Sequence, residues 1–405
     1  MTLKGWKFIG RPVIGAVTLT QQKRKLFYTR PTTITYQILI RKDHITGLFV
    51  YLRNLLKLAR NDRHLYPQAA VYYVTGQCNL NCVYCEDFGV RRNSGNFAPI
   101  PLEQAMKILG VIRTGVDALM LTGGETLTHP DIDEIVLRAK GEMKFRELTL
   151  ISNGLLLSKH EAALSAVDRL IISLDSVDAS AWSRTIGVSP ASAEAIIENV
   201  RHYAQEQDRF GYHMVVNVVL TPETLPTADA LLDFCWSVKG KGSPPLLISF
   251  SPQSYNNWPR YELMVSPEYK AFLQKLLDLK RIGAPILASN LYLQTMRDIT
   301  PYDCYPTLTP RILPNGDLIY PCRPFEKADN GQGGRPENLL NVQTWAEAWR
   351  TAYSTYGQPP RTCSSCFQQC YIEPSLMQAR PLLLAWEWLR YPAVRRGNLL
   401  TYAPG

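Results

Sequence analysis

Residues 78–85 read Cys-Asn-Leu-Asn-Cys-Val-Tyr-Cys, three thiols in a C-x3-C-x2-C run. Thiolates in so short a loop suit three irons of a [4Fe–4S] cube and leave the fourth iron without a protein ligand. An open iron accepts a substrate or cofactor atom, which a fully ligated electron-transfer cluster does not. A structural zinc site wants four ligands, commonly as two C-x2-C knuckles, and this loop supplies three with a longer first gap. The preceding run Ala-Val-Tyr-Tyr-Val-Thr (70–75) has the β-branched and aromatic character of a buried strand. Cys78 therefore opens the loop after a strand, where α/β proteins place their chemistry.

Three later segments extend the pattern. Leu-Thr-Gly-Gly-Glu (121–125) ends an apolar run that begins at Ala118, Ile-Ser-Asn-Gly occupies 151–154, and Ile-Ser-Leu-Asp-Ser occupies 172–176. Alone, Gly-Gly-Glu would read as a turn. In this order, behind Cys78, Cys82 and Cys85, the series resembles the radical S-adenosylmethionine (radical SAM) superfamily. The resemblance implies that the three cysteines hold the SAM-binding [4Fe–4S] cluster and that Tyr84 offers its backbone to the adenine. It implies that Gly123 and Gly124, with Glu125, let the methionine amino group approach closely. Ser152 and Asn153, then Ser173 and Asp175, then Asn217 on a later strand would complete the SAM contacts. The family's proline after the glutamate is Thr126 here, a departure expected to cost local rigidity rather than chemistry.

Strand patterns at Val71–Thr75, Ala118–Thr122, Glu147–Ile151, Arg169–Leu174, His213–Leu220 and Leu246–Phe250 alternate with helix-period segments. The helices are expected over Pro101–Thr114, with an N1 proline, Asp131–Lys140, with Asp131 as N-cap, and Ser192–Glu206. Parallel βαβ units with right-handed crossovers give an α/β fold, a partial (β/α)6 TIM-like barrel over 70–300, which the resemblance also implies. A basic extension (1–69) precedes it, a cysteine-rich extension (301–374) follows, and a basic aromatic tail (375–405) ends the chain.

The second cysteine group falls in that extension. Asn315-Gly316 marks a hairpin turn within 312–320, which would bring Cys304 and Cys322 together; Cys363, Cys366 and Cys370 follow as C-x2-C-x3-C. The arrangement resembles the SPASM/twitch extension of radical SAM enzymes. Full SPASM domains use seven or more cysteines for two clusters, and five are present. The resemblance therefore implies one auxiliary [4Fe–4S] cluster on Cys304, Cys322, Cys363 and Cys366, with Cys370 spare or exchanging with one of the four. A structural zinc ion on the same four residues is the alternative. Residues 363–375 also resemble the C-terminal segment of adenosylhopane synthase and its relatives, a C-x2-C-x3-C run followed by Glu-Pro. Those relatives carry His before the third cysteine, where this chain has Gln369. Cys235, in an apolar segment, reads as a small buried hydrophobe.

Nine cysteines, an odd number in spaced clusters, suit metal ligation in a reducing compartment better than disulfides. With a polar, basic N-terminus and no long apolar stretch, the expected location is the cytoplasm. The charge is confined to the ends: residues 1–70 hold 13 Lys/Arg against two acids, and residues 375–405 hold four against one. Within the first segment, His44–Arg60 patterns as a basic amphipathic helix, with Arg53, Lys57 and Arg60 on one face. It can read as a peripheral membrane contact, with Leu382–Leu389 as a second, but the favoured reading packs both against the barrel with their charges solvated. No recognisable RNA-binding module accompanies the basic ends, which argues against nucleic acid.

The resemblance implies reductive cleavage of SAM to a 5′-deoxyadenosyl radical, with a flavodoxin- or ferredoxin-type electron donor. The leading expectation is modification of an unactivated carbon of a lipid or isoprenoid-like small molecule at a membrane surface. The alternative is a SPASM/twitch-type peptide maturase or a cyclitol or sugar dehydrogenase. A scaffold without turnover would not need Cys78, Cys82, Cys85 and the Gly-Gly-Glu together. Glu86, Asp87, His213 and Tyr255 are the available bases, each with an ordinary surface role as well. Cys370 is a candidate hydrogen-atom donor.

Overall fold

A computed structural model describes residues 42–85, 98–238, 246–255, 258–328, 334–360 and 366–391. Glu86, Asp87, Cys363 and the basic segment 1–41 lie outside the described residues, as does the side chain of Tyr255. In chain order the elements are α1 (Lys42–Ala59), β1 (Ala70–Thr75), α2 (Leu102–Arg113), β2 (Ala118–Gly123), α3 (Ile132–Gly141), β3 (Glu147–Ser152), α4 (Glu161–Leu164), β4 (Arg169–Ser173), α5 (Ala179–Ile186), α6 (Pro190–Gln205), α7 (Gln207–Phe210), β5 (His213–Leu220), α8 (Ala228–Ser237) and β6 (Leu247–Pro252). The short strands β7 (Ser254–Tyr255) and β8 (Trp258–Pro259) lead to α9 (Tyr261–Val265), α10 (Pro267–Arg281) and α11 (Asn290–Asp298). Then come β9 (Arg311–Ile312), β10 (Asp317–Ile319), α12 (Arg323–Ala328), β11 (Glu337–Asn338), α13 (Trp345–Tyr356), α14 (Gln369–Ala379) and α15 (Pro381–Arg390).

β1 to β6 pair in sequence order, all parallel. The result is an open, partial TIM-like α/β barrel. The sheet does not stop at six strands: its order is β11-β10-β9-β1-β2-β3-β4-β5-β6. The Asn315-Gly316 turn folds the expected hairpin, with Gly316 at φ 92°. Its first strand, β9, pairs in parallel with β1 and continues the barrel wall.

Register assigns the two faces of the sheet. Tyr73 pairs with Thr122, Met120 with Thr149, Thr149 with Arg169, and Ser173 with Asn217, which pairs with Ser249. These positions share one face, so the concave side is rich in hydroxyl and amide groups. The other face carries Tyr72, Leu121, Leu150, Ile172 and Val216, all buried. Ile172 and Ile196 of α6 approach the same point near Gly154, which places that apolar face against the helices. Residues so covered on both sides read as apolar runs.

Three helix starts differ from expectation. Pro101 is the cap residue of α2 at φ −56°, ψ 146°, outside the first helical position. Asp131 precedes α3 but its side chain makes no cap bond. α6 begins earlier than Ser192: the Ser189 side chain accepts from the Ser192 N–H and Pro190 follows it, the favoured cap-then-proline order.

Helix α14 lies between the segment that leads into β9 and the segment bridged to β6. On one side its Cys370 carbonyl accepts from Thr309 Oγ1 at 3.0 Å and its Ser375 Oγ accepts from the Tyr305 N–H at 2.8 Å. On the other, Glu373 accepts from the Ser289 N–H at 3.1 Å, three residues past the bridge between Ile286 and Ile248 of β6. Pro374 lies inside this helix and has no N–H to offer the carbonyl four residues back. That carbonyl belongs to Cys370, and Thr309 takes the vacant place. As α14 runs from 370 to 375 its partners run back from 309 to 305. Its N-terminus therefore points along β9, toward the C-terminal ends of the strands.

Glu373 is fully buried, and burial pushes its carboxyl up from 4.5 to about 7 against the pull of Ser289 and Lys280. Between those values the folded state holds a proton that the unfolded chain releases, so stability falls as pH rises from 4.5 toward about 7. Glu373→Gln keeps an acceptor for the Ser289 N–H. It should flatten that slope, removing a loss of about 1–3 kcal/mol. Thermal midpoints followed across this range for both proteins check it; parallel profiles would refute the assignment.

Candidate active site

The Cys78–Cys85 loop sits at the C-terminal end of β1 and is tied down on three sides. The end of α5 receives it: the Asn81 N–H donates to Ile186 O and the Val83 N–H to Thr185 O, both at 2.9 Å. Gly187 ends that helix at φ 67°, and a Cβ there would stand 2.7 Å from Asn81 O. From the β3 side, Asn153 Nδ2 donates to Asn79 Oδ1 at 2.7 Å. From β2, the Gly124 and Glu125 N–H groups donate to Thr75 O and Gln77 O at 2.9 and 2.7 Å.

Gly123 and Gly124 serve the loop itself. A Cβ on Gly123 would lie 2.3 Å from Thr75 O, and one on Gly124 would lie 2.2 Å from Gln77 O. The glycines let the end of β2 press against the backbone that leads into Cys78. Glu125 is buried. Its Oε1 accepts from Ser152 Oγ at 2.8 Å and the Leu127 N–H at 3.0 Å, and its Oε2 accepts from the Asn153 N–H at 2.7 Å. Burial raises its carboxyl despite these donors. Glu125, Ser152 and Asn153 thus form one strut that carries the β2 end to the Cys loop through Asn79. Thr126 supplies the rigidity that its replacement of proline was expected to cost, by donating to Ile151 O at 2.6 Å.

Across the barrel mouth, Tyr84 donates its hydroxyl to Asp175 Oδ2, and Asp175 Oδ1 accepts from the Val219 N–H at 2.8 Å. Burial pushes the Asp175 carboxyl up. Ser173 pairs in register with Asn217 on the concave face, and Asn217 Oδ1 accepts from Ser249 Oγ at 3.1 Å. Ser249 escaped sequence reading because only register, not spacing, brings it beside Asn217. His213 opens β5 and is exposed at the opposite end of the barrel, so it is no base for chemistry at the mouth.

Burial is the largest cause that pushes the Cys78 thiol up to about 11 and Cys82 higher, with smaller electrostatic effects of Cys85 on Cys78 and of Cys85 and Cys78 on Cys82. Among the described residues no three His, Cys, Asp or Glu side chains converge as ligands of a single ion. Thiolates on a cube each take a different iron and need not do so. The donor set is soft sulfur alone, and the glycine cradle leaves backbone close beside it. Cys78, Cys82 and Cys85 fit a [4Fe–4S] cluster, and the polar mouth around them fits S-adenosylmethionine.

Hydrogen bonds join the segments that carry the second cysteines. Tyr302, two residues before Cys304, donates its hydroxyl to Cys366 O at 2.5 Å. Tyr371, next to Cys370, accepts the N–H of Arg323, next to Cys322, at 3.0 Å. Cys304, Cys366 and Cys370 are buried and Cys322 is half-buried. Arg311 of β9 donates to both Tyr73 Oη and Cys370 Sγ, so Cys370 borders the concave face. Cys235 is buried in α8, where desolvation pushes its thiol up.

The profile of the radical SAM superfamily matches residues 72–235. A probable GTP 3′,8-cyclase of Methanopyrus kandleri is 33% identical over 170 residues, 41% of this chain and 52% of the relative. The one from Methanothermobacter thermautotrophicus is 35% identical over 120 residues, 29% of this chain and 38% of the relative. The chain thus spans about half the length of the curated relatives it matches, or less. Among solved structures, Streptococcus suis SuiB bound to S-adenosylmethionine aligns at TM-score 0.54 and 20% identity, over 76% of this chain and 71% of that one. A histidine-tagged anSMEcpe with bound AdoMet aligns at 0.55 and 14%, over 82% and 97%. These two likenesses concern the fold. Sequence profile, barrel and cysteine cradle agree over residues 72–235, the segment that matches the radical SAM superfamily.

Proposed function

We propose that this enzyme generates a 5′-deoxyadenosyl radical at the barrel mouth and uses it on an unactivated carbon of a lipid or isoprenoid-like molecule, with a second [4Fe–4S] cluster at the barrel's side. The chemistry such a SAM-binding cluster supplies when bound is reductive cleavage of the S–C5′ bond. Enzymes of this superfamily draw the electron from a donor, here proposed to be of flavodoxin or ferredoxin type. Cys78, Cys82 and Cys85 hold the first cluster. Gly123, Gly124, Asp175 and Asn217 shape the SAM site, and the Glu125–Ser152–Asn153 strut fixes the loop. Cys304, Cys322 and Cys366, with Cys363 or Cys370, hold the second cluster.

The observation that carries the lipid reading is α14. Its first turn brings Cys370 to the concave face, and its last turn meets α1, whose outer side is apolar. The whole helix is eleven residues long, about 16 Å, so the reaction chamber lies less than one short helix from an apolar exterior. The relatives favour a second reading. They are named as GTP cyclases, not lipid enzymes, and Arg311 places a guanidinium beside Cys370 where it suits a phosphate. A peptide or cyclitol substrate has only the fold in its favour.

One experiment separates these readings. The chain is reconstituted anaerobically, iron and zinc are counted, and deoxyadenosine release is followed on adding detergent-solubilised isoprenoid lipids, then GTP. About eight irons, falling to about four in Cys322→Ala/Cys370→Ala, supports the second cluster; zinc in its place refutes it. Stimulation by lipid and not by GTP supports the lead, and the reverse refutes it.

A further inference from the structure

Two helices sit on the body of the protein with buried polar anchors and with several large apolar side chains turned outward, although Leu55 and Leu58 of α1 pack inward. In α1, Asn54 is completely buried and exchanges hydrogen bonds with the Tyr66 backbone at 2.8 and 2.9 Å. Tyr51, also buried, donates to Met377 O at 2.9 Å. The opposite face shows Leu48, Phe49, Leu52 and Leu56 to solvent, 49–61% exposed. In α15, Glu387 is 2% exposed and ion-paired with Lys280 at 2.6 Å. Leu382, Leu383, Trp386 and Leu389 face outward, 44–84% exposed. A helix docked for its own stability turns the other way, apolar stripe inward.

The two faces are neighbours in the fold. α1 lies on the last turn of α14, through Tyr51 to Met377 and Gln378 Nε2 to Tyr51 O. α15 starts at Pro381, two residues after that turn ends. The charge around them is predominantly basic, with Asp43 at the start of α1 and Asp62 paired to Lys57 as the acids beside α1. No acid occurs between Ile45 and Arg60, and the single acid of α15 is the buried Glu387. Arg53, Arg60, Arg380 and Arg390 are exposed. Arg53 lies over the Tyr66 ring at 4.0 Å, a cation above an apolar surface. Among the described residues no helix is long and apolar enough to cross a membrane, so helices of this kind lie in the interface.

We infer that the outer faces of α1 and α15 form one docking surface for an anionic lipid bilayer. Leucine side chains enter the acyl boundary, Trp386 sits at the headgroup level, and the arginines meet anionic headgroups. The surface goes beyond the proposed reaction: an enzyme with a water-soluble substrate would dock in the same way.

The test is vesicle co-sedimentation of the full chain, with phosphatidylcholine alone and with about a third phosphatidylglycerol. Binding should require the anionic lipid and weaken as salt is raised. Leu52→Glu/Leu56→Glu and Leu382→Glu/Leu389→Glu should each lower it by about tenfold or more, while vesicle-free deoxyadenosine formation stays at the wild-type level. Trp386→Phe guards against misfolding: the wild-type fluorescence shift on adding anionic vesicles should shrink in this conservative variant. Binding equal in all variants overturns the proposal. So does a concentration-dependent dimer, formed without lipid and dissolved by the same substitutions, because the surface would then belong to a second copy. Lipid turnover without vesicle binding would leave the substrate reading standing and remove the docking surface.

Discussion

Cys82→Ala should reduce deoxyadenosine formation at least about a thousandfold and remove about four irons per chain, while leaving the fold intact. The side chain is only half-buried and belongs to a loop, not to the strands that carry the core. Its loss should therefore cost no more than about 1 kcal/mol of stability. What it supplies is a charge the protein alone does not tolerate. Burial, with Asp175 and the neighbouring thiols, disfavours a thiolate at Cys82, and metal binding drives its proton off. Two thiolates cannot present the same three corners of a cube, so a one-atom change should act on metal content and turnover together. Cys235→Ala is the matching control. That thiol is fully buried and lies in α8 among apolar neighbours, so the variant should lose about 1 kcal/mol of stability and no iron. A Cys82→Ala protein with full iron and turnover would end the assignment of this loop as the SAM cluster site.

The parts of the molecule that local sequence governs were legible. Composition and turn chemistry found the six parallel strands and the hairpin at Asn315-Gly316, because strands buried on both faces read as apolar runs and an Asn-Gly pair marks a turn. The chemistry-bearing loop was legible for a related reason: cysteine spacing is local. Register was not. Ser249 beside Asn217, Arg311 beside Tyr73 and Cys370, and β9 on the free edge of β1 are pairings between distant parts of the chain, 238 positions apart for Arg311 and Tyr73. The Glu-Pro pair at Glu373–Pro374 was visible as a motif, but its physical content was not. It needed Thr309 to answer the carbonyl that Pro374 leaves without a donor, and Ser289 to meet Glu373. The amphipathic pattern of α1 gave a helix correctly and could not give its orientation. A 3.6-residue stripe says that one face is apolar; whether that face meets the core is decided by Asn54 and Tyr51 finding partners inside.

Gly124→Ala should be the most damaging single methyl in the barrel. The new Cβ would stand 2.2 Å from Gln77 O and 2.7 Å from Gly76 O. Both obstacles are backbone, so no side chain can swing away. The backbone cannot retreat cheaply either, because the Gly124 and Glu125 N–H groups hold Thr75 O and Gln77 O, and Thr75 Oγ1 accepts from the Gln77 N–H at 3.0 Å. Relief requires the end of β1 to move, and Cys78 moves with it. The expected cost is about 3 kcal/mol or more in stability, with deoxyadenosine formation down more than about tenfold, because a small misplacement of a reacting group is costly. Gly110→Ala reads the same chemistry in reverse. That glycine lies within α2 with nothing within 4 Å of the added Cβ, and the exchange should stabilise the helix by about 0.5–1 kcal/mol. Thermal melts and turnover of the pair divide the two effects of a methyl group. If Gly124→Ala matched Gly110→Ala in both, the close approach of β2 to the Cys loop would not be what the glycines are for, and the methionine contact expected from the sequence would have to explain them.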